Sequence, residues 1–389
     1  MSKWYLVSVD SSKSVTDSKS FWENKLELKD ICDNIYKFSD DGIQHGQLIT
    51  QSLWENIGSN SDNILDSKKG YWILANKREP DPEPPPLYYQ NSTFTNVYAF
   101  AALKNDGTVV AWGNDNFGGK QSDVSDVSGV NTIFSNQGAF VALKNDGTVV
   151  AWGNADYGGN PDDVQDLSNV NTIFSNHIAF AALKNDGTVV AWGHDNFGGK
   201  QSDVSDVSGV NTIFSNHGAF AALKNDGTVF AWGRKGWGGD QSDVQDLSGV
   251  VNIFSNYNAF AALKNDGTVF AWGHDDYGGK QSDVQDLSNV DTIFSSRGAF
   301  AALKNDGTVF AWGDDSNGGK QSDVSDVSGV NTIFGSDHAF AALKNDGTVF
   351  AWGDHNYGGD PDDVQDVSGV KTISQGYNYI KGQFMYNGR

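Results

Sequence analysis

The chain has 389 residues, and its 27 basic and 49 acidic side chains give a formal net charge of −22. A surface this acidic repels phosphate backbones, which excludes a general nucleic-acid binder and favours partner surfaces that are neutral or basic overall. A single cysteine, Cys32, excludes an internal disulfide and a cysteine-rich metal site. No apolar stretch reaches the roughly 18 residues of a membrane span, and the first residues lack a signal-peptide pattern. We therefore expect a cytoplasmic or virion-associated protein rather than one secreted by the Sec route.

The first part of the chain shares no pattern with the remainder. Trp4–Val9 and Gly70–Ala75 are rich in aromatic and β-branched side chains and are predicted strands. The mixed apolar pattern of Phe21–Phe38 favours partly helical structure. Residues 1–77 are therefore predicted to form a small α+β domain.

A proline-rich segment follows this domain. Five of the seven prolines lie between Pro80 and Pro86, a composition typical of an extended polyproline II spacer. We expect a semi-rigid linker over residues 78–87 and one repeat domain over residues 88–389. A tethered extra domain of this kind suggests a role in attachment or assembly.

The repeat domain consists of a 40-residue unit that recurs without insertion. The string Leu-Lys-Asn-Asp-Gly-Thr-Val, closely followed by Ala-Trp-Gly, begins at Leu103, Leu143, Leu183, Leu223, Leu263, Leu303 and Leu343. Seven copies at a fixed period indicate one closed or stacked array.

Within one unit the residues alternate as in strands and show no helical spacing. Residues 130–134, 139–143 and 148–152 are short and rich in apolar or β-branched side chains, and we name the corresponding strands A, B and C. The Asn-Asp-Gly sequence at 145–147 predicts a hairpin turn between B and C, and residues 122–127 predict a weaker strand D. Four short strands in each of seven units predict an all-β fold, a seven-bladed β-propeller. An open β-solenoid is the alternative.

Both ends of the repeat domain carry additional strand-like sequence. Val370–Ile373 begins an eighth strand A and then diverges, and residues 88–93 form a degenerate copy. We expect strands from both ends to share one blade and close the ring. Which end supplies the innermost strand stays open at this point.

The segment from Ala102 to Gly118, Ala-Leu-Lys-Asn-Asp-Gly-Thr-Val-Val-Ala-Trp-Gly-Asn-Asp-Asn-Phe-Gly, resembles the repeat of the regulator-of-chromosome-condensation (RCC1) family. It is most similar to the compact bacterial branch that includes the beta-lactamase inhibitory protein II type. The resemblance implies a seven-bladed propeller that binds protein partners through loops on one face. The nucleotide-exchange role of the founding eukaryotic member transfers poorly to so acidic a chain.

Among the positions that differ from the family pattern, two flank the loop between strands A and B. The glycine that usually ends strand A is Asn136 here, and the histidine that usually opens strand B is Ala139. Because asparagine tolerates positive φ better than most residues, we expect Asn136 to take the left-handed conformation.

Differences between the seven copies are concentrated in two segments. The Lys-Asn-Asp-Gly turn between strands B and C is invariant, whereas the residues between A and B and those after Ala-Trp-Gly vary. In an up-and-down blade these two variable loops, A–B and C–D, open on the same face. Loops vary without disturbing the scaffold, and Tyr, Trp, Arg and His are frequent at binding hot spots or tune charge; neutral drift of exposed loops is the alternative. We predict a binding face for a protein or glycan partner formed by Phe117, Tyr157, His177, His194, Phe197, His217, Arg234, Lys235, Trp237, Tyr257, His274, Tyr277, Arg297, His338, His355 and Tyr357.

Other interpretations of the recurring residues are weaker. The tryptophan of each Ala-Trp-Gly, such as Trp192, occupies a fixed place in a strand and is predicted to be core rather than a ligand contact. The Asp-rich C–D loops match no EF-hand spacing, and no loop holds a zinc-type pair of histidines, so we expect no metal or cofactor. No catalytic sequence motif is present, and we expect no enzyme.

These observations predict a non-enzymatic recognition or adhesion propeller with an N-terminal domain for attachment. The alternative is a structural assembly protein, such as a virion or surface-filament subunit, in which the same face would serve self-assembly.

Overall fold

The computed structural model describes residues 95–374 and, before them, the backbone of four strands. The chain divides into two compact units, Met1–Tyr88 and Tyr89–Arg389. Among the described residues, no helix combines the length and the apolar character needed to cross a membrane.

The N-terminal unit contains a four-stranded antiparallel sheet. Its strands are Lys3–Val7, Asn34–Lys37, Gln47–Ile49 and Tyr71–Ala75. The last strand pairs with the first on one side and with the second on the other, and the third strand lies at the edge beside the second. The two predicted strands are thus present, whereas residues 34–37 form a strand in a segment predicted to be partly helical. The rest of that segment and the linker over 78–87 lie outside the described residues.

The second unit is a series of seven antiparallel blades, as the sequence predicts. Six blades have three strands in the order A–B–C, and the first has strands B and C alone within the described residues. We number the blades 1 to 7 in chain order. Strand A spans Val130–Ser135, Val170–Ser175, Val210–Ser215, Val250–Ser255, Val290–Ser295 and Val330–Gly335 in blades 2 to 7.

Strands B and C form a hairpin in every blade. Strand B spans Ala99–Leu103, Ala139–Lys144, Ala179–Lys184, Ala219–Lys224, Ala259–Lys264, Ala299–Lys304 and Ala339–Lys344. Strand C spans Val109–Gly113, Val149–Gly153, Val189–Gly193, Val229–Gly233, Val269–Gly273, Val309–Gly313 and Val349–Gly353.

The invariant B–C turn is fixed by its own side chains. In blade 2 the Asp146 carboxylate accepts hydrogen bonds from the backbone N–H and the hydroxyl of Thr148, at 2.9 and 2.6 Å. The backbone N–H of Asn145 donates to the carbonyl oxygen of Gly129, which precedes strand A of the same blade. The same contacts of the aspartate recur in all seven copies, so the constancy of this turn has a structural cause.

The prediction of a strand D over residues 122–127 is wrong, because the chain after strand C forms two short 3₁₀ helices, the second of which overlaps this range. We keep the name C–D loop for the segment after strand C that contains the first of them. The first spans Asp115–Phe117, Ala155–Tyr157, Asp195–Phe197, Lys235–Trp237, Asp275–Tyr277, Asp315–Asn317 and His355–Tyr357. The second spans Gln121–Asp123, Pro161–Asp163, Gln201–Asp203, Gln241–Asp243, Gln281–Asp283, Gln321–Asp323 and Pro361–Val364.

A glutamine side chain occupies the place beside strand C that a fourth strand would take. Oε1 of Gln201 accepts a hydrogen bond from the backbone N–H of Ala191 at 2.8 Å, and four other blades repeat this contact. Val204, just after the second 3₁₀ helix, is 1% exposed. In these five blades the segment is therefore held by one side-chain amide and one buried valine, without a β-ladder, whereas blades 2 and 7 have Pro161 and Pro361 at the glutamine position.

Consecutive blades are joined by an aromatic pair and a glycine. In blade 3 the rings of Phe180 and Trp192 stack with centroids 5.5 Å apart, and the indole N–H donates to the carbonyl oxygen of Gly158 in the preceding C–D loop. A Cβ at Gly158 would lie 2.9 Å from Cδ2 of Phe180, so only glycine permits this approach. The tryptophans of blades 2 to 7 are at most 3% exposed, which confirms the prediction that they are core.

Strand A provides a second line of contacts between blades. The Ser215 hydroxyl donates to the carbonyl oxygen of Ser175, one repeat earlier, at 2.8 Å. Beyond the end of strand A, the backbone N–H of His217 donates to the carbonyl oxygen of Tyr257 at 3.1 Å. Neighbouring A–B loops are therefore connected directly, one after another.

Blade 1 presents an uncovered side within the described residues. Phe100 is 63% exposed and Trp112 is 49% exposed, whereas their equivalents in later blades are buried. At the other end of the series, nothing lies within 4 Å of a Cβ built on Gly358, and Val370–Ile373 forms no strand. The predicted closing blade is thus not formed by residues 95–374, and its completion stays a prediction.

Candidate recognition surface

The two sets of variable loops meet at one end of each blade. In blade 4 the side-chain N–H of Asn216, in the A–B loop, donates to the carbonyl oxygen of Trp237, in the C–D loop, at 2.6 Å. Its Oδ1 accepts from the backbone N–H groups of Gly218 and Ala219. The B–C turn lies at the opposite end of the same hairpin, as the register from Ala219 opposite Gly233 requires. We call the surface formed by the A–B and C–D loops the variable surface.

The asparagine that follows strand A connects two loops through its side-chain hydrogen bonds. The prediction that it takes the left-handed conformation is wrong. Within the described residues, the only non-glycine residues with positive φ are Asn169 and Asn289, both at 58°. They replace a glycine before strand A. Asn136 instead donates to the carbonyl oxygen of Tyr157 and accepts from the Ala139 backbone N–H.

A column of side chains from successive A–B loops runs through blades 3 to 6. The His177 and His217 rings stack with centroids 4.1 Å apart, and those of His217 and Tyr257 stack at 4.3 Å. The guanidinium carbon of Arg297 lies 4.6 Å from the centroid of the Tyr257 ring. The spacing follows from the backbone hydrogen bonds that connect neighbouring A–B loops.

The column holds its central histidine in the neutral form at physiological pH. His217 is 9% exposed. Burial, and secondarily the positive charges of His177, Arg297 and Arg234, lower the pKa of His217 to about 3. Burial also lowers the pKa of His177. Positive charge in this part of the surface at pH 7 therefore comes from the arginines and a lysine.

The C–D loop of blade 4 adds a cation and two aromatic rings beside this column. Trp237 makes edge-on contacts with Phe197 and His217, whose ring centroids lie 5.9 and 5.3 Å from its own. The guanidinium carbon of Arg234 lies 3.7 Å from the Trp237 ring centroid, and Lys235 pairs with Asp240 at 3.3 Å. Arg234 and Lys235 are exposed, while Phe197 and Trp237 are half-buried.

The remaining predicted residues lie on the same surface in smaller groups. Phe117 and Tyr157 make an edge-on contact at 6.2 Å. His194 and His274 each contact the aromatic residue of their own loop, Phe197 and Tyr277, at 5.3 and 5.2 Å. The ring centroids of His338 and Tyr357 lie 4.3 Å apart, and Nδ1 of His355 lies 3.2 Å from Oδ2 of Asp360. The structure thus brings the predicted residues together as neighbours within and between adjacent blades, from blade 1 to blade 7.

Sequence reasoning missed the residues that space these aromatic rings. Tyr98 stacks on Phe117 at 4.2 Å, and Asn317 contacts His338. A Cβ at Gly218 would lie 2.5 Å from Cε3 of Trp237, so a glycine is needed there. Comparing the second residue of each A–B loop between copies could have indicated this spacing role.

The described part of the surface offers stacking and charge and shows no metal centre. Within residues 95–374, no three His, Cys, Asp or Glu side chains group in a way that could hold an ion. In the same range, Nδ1 of His194, Nδ1 of His274 and Oδ1 of Asn258 are buried without a hydrogen-bond partner. Such an arrangement can hold a partner through aromatic contacts and a few polar groups.

Comparisons with known proteins agree with the repeat that the sequence indicated. The family model described as "Regulator of chromosome condensation (RCC1) repeat" matches residues 250–278, which include strands A, B and C of blade 5. No curated protein matches the chain in sequence.

Solved propeller structures show distant likeness to the chain. Prp20p of Saccharomyces cerevisiae, whose structure was described with its binding to Gsp1p and histones, is 18% identical over 68% of this chain and 83% of its own, with a TM-score of 0.36. The ectodomain of the receptor kinase CR4 of Physcomitrella patens is 14% identical over 66% and 70% of the two chains, also with a TM-score of 0.36. The Cps50 (Swd1) β-propeller domain of Myceliophteria thermophila is 11% identical over 59% and 84%, with a TM-score of 0.28.

The identity of the fold rests on the blades themselves and on the matched repeat. Seven 40-residue units each contribute a B–C hairpin, and each tryptophan from blade 2 onward bonds to the preceding loop. The likeness to the beta-lactamase inhibitory protein II branch stays a prediction. The second unit of this chain is an RCC1-like repeat propeller.

Proposed function

We propose that this protein is a non-enzymatic recognition module that binds a protein partner through its variable surface. The observation that carries the proposal is the continuous contact of Phe197, Trp237, His217 and Tyr257, which come from four different loops of three blades. Each of these rings is variable between copies, yet the loops that carry them are held by invariant backbone contacts.

The chemistry of the surface supports binding rather than catalysis. Aromatic and arginine side chains on a rigid scaffold lose little conformational freedom on binding and dominate hot spots. The variable loops carry aromatic and arginine side chains, and no catalytic sequence motif accompanies them. A protein partner agrees with the yeast relative described as binding Gsp1p and histones. In this proposal the N-terminal domain serves attachment.

Self-assembly is a second candidate, supported by the uncovered side of blade 1. Phe100 and Trp112 expose large apolar rings that equivalent blades cover with the glycine of a preceding C–D loop. The assembly alternative drawn from the sequence used the variable surface, and contacts through this side of blade 1 are a different form of it, again in a virion or filament subunit. Sedimentation at increasing protein concentration distinguishes this candidate from a recognition module, which would stay monomeric without its partner.

Affinity capture with the intact chain tests the proposed function. The test variant replaces Phe197, Trp237 and Tyr257 by Ala, and the control variant replaces Asn185, Lys224 and Asn265 by Ala on the opposite face. We expect a protein that is retained by the wild type and the control and lost by the test variant, with a cooperative melting transition in both variants. Equal retention by all three, or capture of a glycan alone, would contradict the proposal.

A further inference from the structure

Two arginines on the variable surface are connected by an unbroken series of ring contacts. The guanidinium of Arg234 lies over Trp237, Trp237 contacts His217, His217 stacks on Tyr257, and Arg297 lies over Tyr257. The successive separations are 3.7, 5.3, 4.3 and 4.6 Å. We call Arg234, Lys235, Trp237, His217, Tyr257 and Arg297 the basic sector.

The guanidinium groups of this sector are positioned to accept an anionic group. A guanidinium stacked on an aromatic face keeps its N–H donors in its own plane, where a carboxylate can be held by two hydrogen bonds. Within residues 95–374, neither Arg234 nor Arg297 forms an ion pair with a carboxylate. The nearby lysine differs, since Lys235 already contacts Asp240.

The charges of the surrounding loops make this sector unique on the surface. If the residue before the first 3₁₀ helix is counted with the helix, this segment carries one or two aspartates in blades 1 to 3 and 5 to 7. In blade 4 it carries Arg234 and Lys235 and no acidic residue. The charges of both arginines also reach His217, where they help to lower its pKa. One positive region therefore lies among negative loops, and it would fix the orientation of a partner.

We propose that the basic sector binds a carboxylate-bearing segment, rich in Asp or Glu, of the protein partner. This inference rests on the proposed function and adds the chemistry of one contact to it. The net charge of −22 still disfavours a partner that is acidic overall. Because fields are screened beyond about 8 Å at physiological ionic strength, the local sector decides the contact. A nucleic acid is the less favoured polyanion, since its long charged backbone would also meet the acidic loops.

The test measures binding of a fluorescent hexaglutamate peptide to the full chain by anisotropy, with hexaglutamine as the uncharged probe. The test variants are Arg234→Gln alone and together with Arg297→Gln. The control is Lys224→Gln, which removes the same charge near the B–C turn on the opposite face. We expect hexaglutamate to bind more tightly than hexaglutamine, with a loss of roughly tenfold in the double variant and less than about twofold in the control. A hexalysine peptide should bind the double variant at least as tightly as it binds the wild type.

Three results would overturn the assignment. They are equal binding of hexaglutamate and hexaglutamine, an equal loss in the Lys224→Gln control, and tighter binding of a single-stranded oligonucleotide of the same charge at the same residues. Arg234 is exposed, so the single variant is expected to fold even if the double variant does not. If the acidic peptide fails while a captured partner still depends on Trp237, the carboxylate assignment falls and the proposed function stands.

Discussion

Trp192 donates its indole N–H to the carbonyl oxygen of Gly158, which lies 34 residues earlier in the chain, at 3.1 Å. The equivalent bond joins each of the other blades from blade 2 to blade 7 to the blade before it, as in Trp272 to Gly238 and Trp352 to Gly318. The joint between two blades is therefore the same contact used six times. It leaves the loops beside it free to vary, because neither residue of the bond belongs to the variable set.

Replacing the tryptophan of a middle blade should empty a large buried site. We expect Trp192→Ala to lower the free energy of unfolding by roughly 3–5 kcal/mol, the usual cost of deleting a large core aromatic. Trp192→Phe keeps a ring against Phe180 and should cost less. Urea denaturation measures both. A Trp192→Ala protein of unchanged stability that no longer binds its partner would show that the tryptophan is a ligand contact.

Closure of the ring predicts that the end of the chain supports blade 1. Covering Phe100 and Trp112 would contribute about 1.5–3 kcal/mol for each large apolar side chain. We expect deletion of residues 370–389 to lower the melting temperature sharply, and Trp112→Ala to destabilise the intact chain about as much as Trp192→Ala. If calorimetry shows neither effect, the blades form an open series.

The buried asparagine after strand A should stabilise the two loops that its side chain connects. Asn216→Ala would leave the Trp237 carbonyl and two backbone N–H groups without their partner, and the expected cost is at least about 2 kcal/mol. Asn225→Ala, in the exposed B–C turn, is the control and should stay within about 0.5 kcal/mol. Chemical denaturation measures the free energy of unfolding of both variants. Equal values would show that the Asn216 side chain does not stabilise the loops.

The stacked histidine predicts an acid-sensitive step in stability. The pKa of His217 is about 3 in the folded chain and about 6.5 when unfolded, so between these values the unfolded chain binds more protons. Stability is therefore unaffected above about pH 6.5 and falls as the pH drops from there towards 3. The B–C turn aspartates, such as Asp226, have their pKa lowered from 3.8 by hydrogen bonds from Thr228. Their contribution to stability is therefore present above this value and is lost only as the pH falls below it.

Denaturation midpoints measured between pH 7 and pH 5 isolate this histidine effect. We expect the wild type to lose stability over this range and His217→Gln to lose less of it. An identical pH profile for the two proteins would mean that His217 takes up its proton freely in the folded state.

The strands and the two faces could be predicted from sequence because they depend on local patterns. Val149 to Gly153 alternates as a strand, and Asn145-Asp146-Gly147 encodes its turn. Strand D could not be excluded in this way, since the glutamine that replaces it, Gln201, acts through a side-chain amide. Asn136 was misjudged for the same reason, because its contacts with Tyr157 and Ala139 depend on tertiary structure.

The sequence also left the meaning of the loop differences open. Constancy of the B–C turn contrasts with variation elsewhere, but Asp146 and Thr148 are held there by hydrogen bonds, so the contrast alone does not indicate selection for binding. The stacking of His177, His217 and Tyr257 could not be read from residues 40 apart. It appears only when the backbone ladder places them in contact.

The dissociation constant of the captured partner, measured for Arg234→Ala combined with Trp237→Ala, tests the recognition surface most directly. We expect binding to weaken by at least about 2 kcal/mol, the threshold of a hot spot, while the double variant keeps a cooperative unfolding transition. Lys224→Ala, beside the B–C turn, should leave the dissociation constant unchanged. Loss of binding in Lys224→Ala together with full binding by the double variant would place recognition on the opposite face and identify the loop differences as drift.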